Sequence, residues 1–287
     1  MRELNLRLEC ATIQHMAGIE RIKPEQRVFR EIVRKVGHPL VFKNKTELID
    51  LEGLPRFHDI LRKGHGGVVV ETHFSALDPM WTMNAVTKQM GVRDIHISGP
   101  IRIDRTNPAF NKVMHWAGVD ITGIVTPKAY ADAVEKGNPK GFEPGQGLQK
   151  YLGQAVETIK AGGLVVIASN PERQAKLTVD EHDSVAGLLH LLKSRHLADF
   201  GVHFVSPSLK NVTDYSRHRS IPTVLRRAYM RHGATFTAQE MWNRAESQVD
   251  PDLDRKAKRD ATNKAMSKII YEELLKIVPP GMKPTAQ

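Results

Sequence analysis

Gly66-Gly67-Val68-Val69-Val70-Glu71-Thr72-His73-Phe74-Ser75-Ala76-Leu77-Asp78-Pro79 is the stretch from which the rest of the chain is read. The short β-branched run reads as a buried strand, and the Asp-Pro step at its far end suits the opening of a helix. His73 then stands at the end of the strand and Asp78 at the start of the helix. A turn between them folds the carboxylate back onto the imidazole, fixes its tautomer and leaves the other ring nitrogen to take a proton from a hydroxyl. Such a pair needs no Ser or Cys nucleophile. The structural alternative is that Asp78 N-caps the helix begun by Pro79 while His73 is a satisfied core histidine.

The same spacing occurs once more, from His115 to Asp120 in Asn111-Lys112-Val113-Met114-His115-Trp116-Ala117-Gly118-Val119-Asp120. That segment reads as the end of an amphipathic helix closed by Gly118. No strand presents His115, so the second pair is read as a coincidence of spacing and the strand-turn-helix context carries the functional reading of the first.

Outward from this stretch, short apolar strands at Gly66 to Val70, Gly163 to Ala168 and Val202 to Val205 alternate with amphipathic helices. The alternation predicts an α/β fold, a mixed and largely parallel sheet flanked by helices. Residues 1–62 read as a small N-terminal helical cap, with Pro24 to Val36 at helical spacing and Gly37 closing the helix. Residues 63–287 then form the α/β domain with C-terminal helices. The Gly- and Pro-containing run from Glu135 to Gly147 reads as a mobile lid or insertion. Leu148 to Ala161 reads as a helix feeding the next strand, and the tail from Phe236 as helical with a frayed, Pro-rich end.

With 287 residues, 40% of them hydrophobic, the chain is long enough for one large α/β domain. A single cysteine, Cys10, excludes an intramolecular disulfide and a Cys-based zinc cluster and fits a reducing compartment. No uncharged stretch approaches the roughly 20 apolar residues of a spanning helix, so the expected location is cytoplasmic, with peripheral contact to a membrane as an option. The 42 Lys and Arg against 32 Asp and Glu give a net charge of +10, which attracts anionic partners: an acidic carrier protein, coenzyme A, a phosphorylated substrate, an anionic membrane face or nucleic acid. Three Trp and five Tyr offer little material for base stacking, which argues against nucleic acid. Basic residues gather at Arg217 to Arg219, Arg226-Arg227 and Arg231, and again from Arg255 to Arg259, where acidic neighbours suggest a solvated helix face.

The His73 segment resembles the first motif of the glycerophospholipid acyltransferases, in which a histidine and an aspartate five residues on follow a strand, here with Ser75 between them. Gly162 to Arg173 resembles the third motif of that family, a strand and turn whose arginine holds substrate phosphate; ungapped, Arg173 falls on that arginine. The family's Glu-Gly is replaced here by Asn170-Pro171. Two segments resemble the second motif. Gly99-Pro100-Ile101-Arg102-Ile103-Asp104-Arg105 matches the Gly-x-x-x-Ile-Asp-Arg pattern in its letters, whereas spacing favours Gly118 to Lys128, with Lys128 where soluble chloroplast-type glycerol-3-phosphate acyltransferases carry a phosphate-binding lysine. The resemblance covers roughly residues 62–215.

It implies that His73, oriented by Asp78, deprotonates a glycerol hydroxyl that attacks an acyl thioester, while Arg173 and Lys128 grip the phosphate of glycerol 3-phosphate, with Arg105 in the competing register of the second motif. No cofactor or metal is implied beyond the co-substrate, acyl carrier protein or coenzyme A thioester. Two alternatives stand beside this reading: a lysophosphatidic acid acceptor, as in the 1-acylglycerol-3-phosphate acyltransferases, or a non-catalytic basic binding protein.

Overall fold

The computed structural model describes residues 22–41, 45–73, 82, 95–103, 106–169, 176–178, 184–209 and 228–284. Within them lie seven strands: β1 (Lys45–Leu48), β2 (Gly67–Glu71), β3 (Ile97–Arg102), β4 (Val119–Ile124), β5 (Leu164–Ala168), β6 (Gly201–Leu209) and β7 (Ala228–Thr237). The helices are α1 (Pro24–Val41), α2 (Gly53–Arg62), α3 (Pro108–Trp116), α4 (Pro127–Glu135), α5 (Leu148–Lys160), α6 (Ser184–Ser194), α7 (Ala238–Glu246) and α8 (Arg255–Ile277). One sheet joins all seven strands in the order β1-β7-β6-β2-β5-β3-β4.

Five neighbouring strands, β6, β2, β5, β3 and β4, are parallel; β7 runs antiparallel to β6, and β1 parallel to β7. The fold is therefore α/β with a mixed, largely parallel sheet. Val68, Val69 and Val70 have no exposed surface, because β2 is paired on both edges and covered on both faces, the environment that a continuous β-branched run suits. Adjacent residues of β7 mark the two faces: Gly233 approaches Ile277 of α8, while His232 bonds to His203 on the side packed by α2.

On that second face, α2 presses the fully buried Phe57 onto two glycines. A Cβ at Gly67 would lie 2.4 Å from the Phe57 ring, and one at Gly201 2.8 Å from it, so both positions must lack a side chain for the helix to seat. His203 stacks on Phe57 with centroids 5.0 Å apart. Its Nδ1–H donates to Thr235 Oγ1 (2.8 Å), because the Thr235 hydroxyl already donates to Gly53 O (2.6 Å). His203 Nε2 then accepts from His232 Nδ1–H at 2.9 Å.

Burial holds both imidazoles neutral. His203 is pushed well below its usual range, and His232 down to about 4, with the neighbouring His58 adding to the effect. Between pH 6.5 and 4 the unfolded chain takes up protons that these folded histidines refuse. Their contribution to stability is thus complete above pH 6.5 and is lost as pH falls toward 4, on the order of 3 kcal/mol for His232 alone. Urea unfolding at pH 7 and pH 4.5 checks this. The wild type is expected to lose more stability over that interval than His232→Asn, whose amide replaces the Nδ1 donor without titrating; equal losses would remove the buried pair as the cause.

The N-terminal reading requires correction. Residues 45–62, expected to belong to a helical cap, supply an edge strand paired with β7 and the helix that carries Phe57. Helix α1 runs through Gly37 to Val41: a helical glycine costs about 1 kcal/mol, which is a penalty and not a stop. A buried arginine docks α1. Arg30 donates from Nε to Ala117 O (2.5 Å), from Nη1 to Ile95 O (3.0 Å) and from Nη2 to Gly118 O (2.9 Å), tying the helix to the α3–β4 turn. The Pro-rich tail is also packed where fraying was expected: Met282 is buried, and its carbonyl accepts from Leu177 N at 2.8 Å.

Candidate active site

The carboxyl end of β2 is tied to both neighbours. Glu71 O accepts from Ser169 N (2.9 Å) at the end of β5, and Thr72 N donates to Val205 O (3.3 Å) of β6. The Thr72 and Ser206 hydroxyls share a hydrogen bond of 2.8 Å. His73 follows at once and is half-buried, so the chain delivers it to the rim of the sheet from a fixed point. Asp78 and Ser75 lie outside the described residues.

β5, β3 and β4, the next strands along from β2, are parallel to it, so their carboxyl ends share its rim. Each leads toward one of the candidate phosphate-binding residues: β5 toward Arg173, β3 toward Arg105, β4 toward Lys128. Open α/β sheets bind ligands outside the carboxyl ends of their strands. At about 4.8 Å per strand, the ends of β5, β3 and β4 stand roughly 5, 10 and 14 Å from that of β2. Arg173 and Arg105 lie outside the described residues, as do Arg217 to Arg227; Arg231 is on β7.

Lys128 is described, at the start of α4. Thr126 caps this helix by accepting from Ala129 N (3.1 Å), and Pro127 supplies its first residue. The Lys128 side chain is 58% exposed and bonds Asp132 Oδ1 at 3.2 Å, while the buried Arg102 at the end of β3 bonds Asp132 Oδ2 at 2.9 Å. Arg102 first, and Lys128 after it, hold the Asp132 carboxyl below the usual carboxylate range. The charge of Lys128 is thus already shared with an internal anion. The loop after α4 consists of tight turns with glycines at positive φ, and it returns to the same rim, where Val125 N donates to Gln146 O at 2.9 Å. Gly147 (φ 79°) must be glycine, since a Cβ would fall 2.0 Å from Gly123 O.

Sequence reading passed over Glu71 and Thr82. Glu71 is 1% exposed and Thr82 fully buried, and the Thr82 hydroxyl donates to Glu71 Oε2. The available signal was a carboxylate closing an otherwise apolar run. The spacing of His115 and Asp120 is more than coincidence, since the two are bonded: His115 Nδ1 lies 2.7 Å from Asp120 Oδ1, and His96 Nε2 lies 3.2 Å from Oδ2. Hydrogen bonds from His96 and His115 pull Asp120 down to about 2 against the opposing effect of burial. This cluster sits at the amino ends of β3 and β4, the rim opposite His73.

A cleft of about 680 Å³ lined by Asp50, Arg56, Phe236, Arg244, Glu273 and Lys276 also opens at the amino end of β6. With β2 spanning Gly67 to Glu71, that end is roughly 20 Å from His73. Four of its lining charges are paired: Glu273 with Arg244 and Lys276, and Arg56 with Glu240. Among the described residues no group of His, Cys, Asp and Glu is placed to hold a metal ion, and no helix is long and apolar enough to cross a membrane.

No protein-family model matches the chain, and no curated protein matches it.

Proposed function

We propose that the chain transfers an acyl group from a thioester, carried by acyl carrier protein or coenzyme A, to a hydroxyl of glycerol 3-phosphate. The observation that carries this reading is the convergence of the carboxyl ends of β2, β5, β3 and β4 on one rim, the four ends that lead into the motif-bearing segments. His73 takes the proton of the attacking hydroxyl as its oxygen bonds to the thioester carbonyl carbon. The carbon–sulfur bond then breaks, and the departing thiolate recovers the proton from the imidazolium. Asp78 orients the imidazole through its other nitrogen. The acceptor's phosphate lies toward β5, one strand from His73 and within the span of a three-carbon acceptor, which makes Arg173 its main anchor. Arg105 comes second. Lys128, three strands away and bonded to Asp132, contributes least.

This ranking is tested by steady-state kinetics with varied acceptor. Arg173→Ala is expected to raise the acceptor KM by roughly 10- to 100-fold and to leave the donor KM unchanged, since a charged hydrogen bond is worth about 1.5–3 kcal/mol. Arg105→Ala should have a smaller effect and Lys128→Ala the smallest. A larger effect at Lys128 than at Arg105 would transfer the second motif to Gly118–Lys128. An unchanged acceptor KM in Arg173→Ala would remove the phosphate anchor.

A further inference from the structure

We infer that Glu71, together with Thr82, is a positioning residue for His73. The inference rests on the acyl-transfer reading and deepens it. β2 is an interior parallel strand buried at all five positions, the setting in which every residue is expected to be apolar. A carboxylate there is costly unless it is hydrogen-bonded, and one that is 1% exposed has been withdrawn from water almost entirely.

One partner of the carboxylate lies among the described residues. The Thr82 hydroxyl, itself fully buried, donates to Glu71 Oε2 across eleven positions of sequence. Both His73 and Asp78 fall between the two anchors. Glu71 is the last residue of β2, held by Ser169 N at its carbonyl, and Thr82 is helical. Their hydrogen bond ties Thr82 to the carboxyl end of β2, the point from which the chain delivers His73 two residues on.

A buried apolar pair would fill the same space without direction. A carboxylate and a hydroxyl bond only within a limited range of separation and angle, so the pair fixes the Thr82 side chain against the strand end. Glu71 ends the strand only two positions before His73, so whatever fixes Glu71 fixes the chain close to the base.

Purified full-length variants test the assignment: Thr82→Val, which keeps shape and removes the donor; Thr82→Ser, which restores the donor; Glu71→Leu; and Glu71→Gln, which keeps an acceptor oxygen. Expected for Thr82→Val and Glu71→Leu is a fall in kcat of roughly 10- to 100-fold with both KM values within about twofold of wild type, because misplacement of the base costs the chemical step and not binding. Their His73 imidazole NMR signals should move while those of His203 stay in place. Thr82→Ser and Glu71→Gln should recover most of the rate and the wild-type His73 signals.

Folded Thr82→Val and Glu71→Leu proteins with wild-type kcat and unchanged His73 signals would overturn the assignment. If Glu71→Leu does not fold, the comparison of Thr82→Val with Thr82→Ser decides it. If the wild type transfers no acyl group, the function reading falls, and the His73 signals still decide whether Glu71 and Thr82 position that ring.

Discussion

His73→Ala is expected to remove acyl transfer, lowering kcat by roughly 10²- to 10⁴-fold, the value of a positioned general base. The residue is half-buried at the rim, so the variant should fold and melt close to the wild type. Asp78→Asn should lose most of the same activity, because the amide can hold the ring in the wrong tautomer and does not stabilise the imidazolium. His115→Ala provides the control. Its imidazole is exposed and bonded to Asp120 at the opposite rim, so its loss should leave turnover unchanged and cost only a little stability. A folded His73→Ala protein with near wild-type turnover would remove the base from the account.

Phe57→Ala is expected to cost about 3–5 kcal/mol of stability, the range for truncating a fully buried aromatic ring. The site cannot readily collapse around the gap. The ring is the layer between α2 and the sheet, and the surfaces below it are Gly67 and Gly201, which have no side chains to move into the space. His203, stacked on the ring, is held by Thr235 and His232 and is not free to shift. Urea denaturation should show a lower midpoint with an unchanged slope. A loss below about 1 kcal/mol would mean that α2 is not seated as described.

How much of the fold was legible depended on whether local sequence or tertiary partners make each element. β2, β5 and the Val202–Val205 stretch of β6 are mostly apolar and β-branched because they are interior strands, and their sequence announces it; the Ser206-Pro207-Ser208 part of β6 does not. β1, Lys45-Thr46-Glu47-Leu48, has neither alternation nor apolar length; its pairing with β7 makes it a strand. β3 contains Gly99-Pro100, which argues against an interior strand. The proline is tolerated because pairing with β5 stops at Ser98, while the other edge continues along β4 to Arg102.

For the site, strand order was the missing quantity. Along the chain, Lys128 has the better spacing from His73 and Arg105 the better letters. Across the sheet, β3 lies nearer to β2 than β4 does, and no reading along the chain contains that fact. The Arg102–Asp132–Lys128 cluster was hidden for the same reason, since it joins the end of one strand to the helix after the next. The dyad at His115 and Asp120 was dismissed because no strand presents the histidine. A helix C-terminus and the following strand bring the two together just as well.

The most direct measurement is release of free thiol from an acyl thioester by the purified protein, followed with acyl carrier protein and coenzyme A donors in the presence and absence of acceptor. The account predicts thiol release that depends on glycerol 3-phosphate, saturates with it, and yields a monoacylated glycerol phosphate. Release dependent on lysophosphatidic acid alone would move the acceptor and keep the chemistry. Folded protein that releases no thiol above background with either donor and either acceptor would contradict the account.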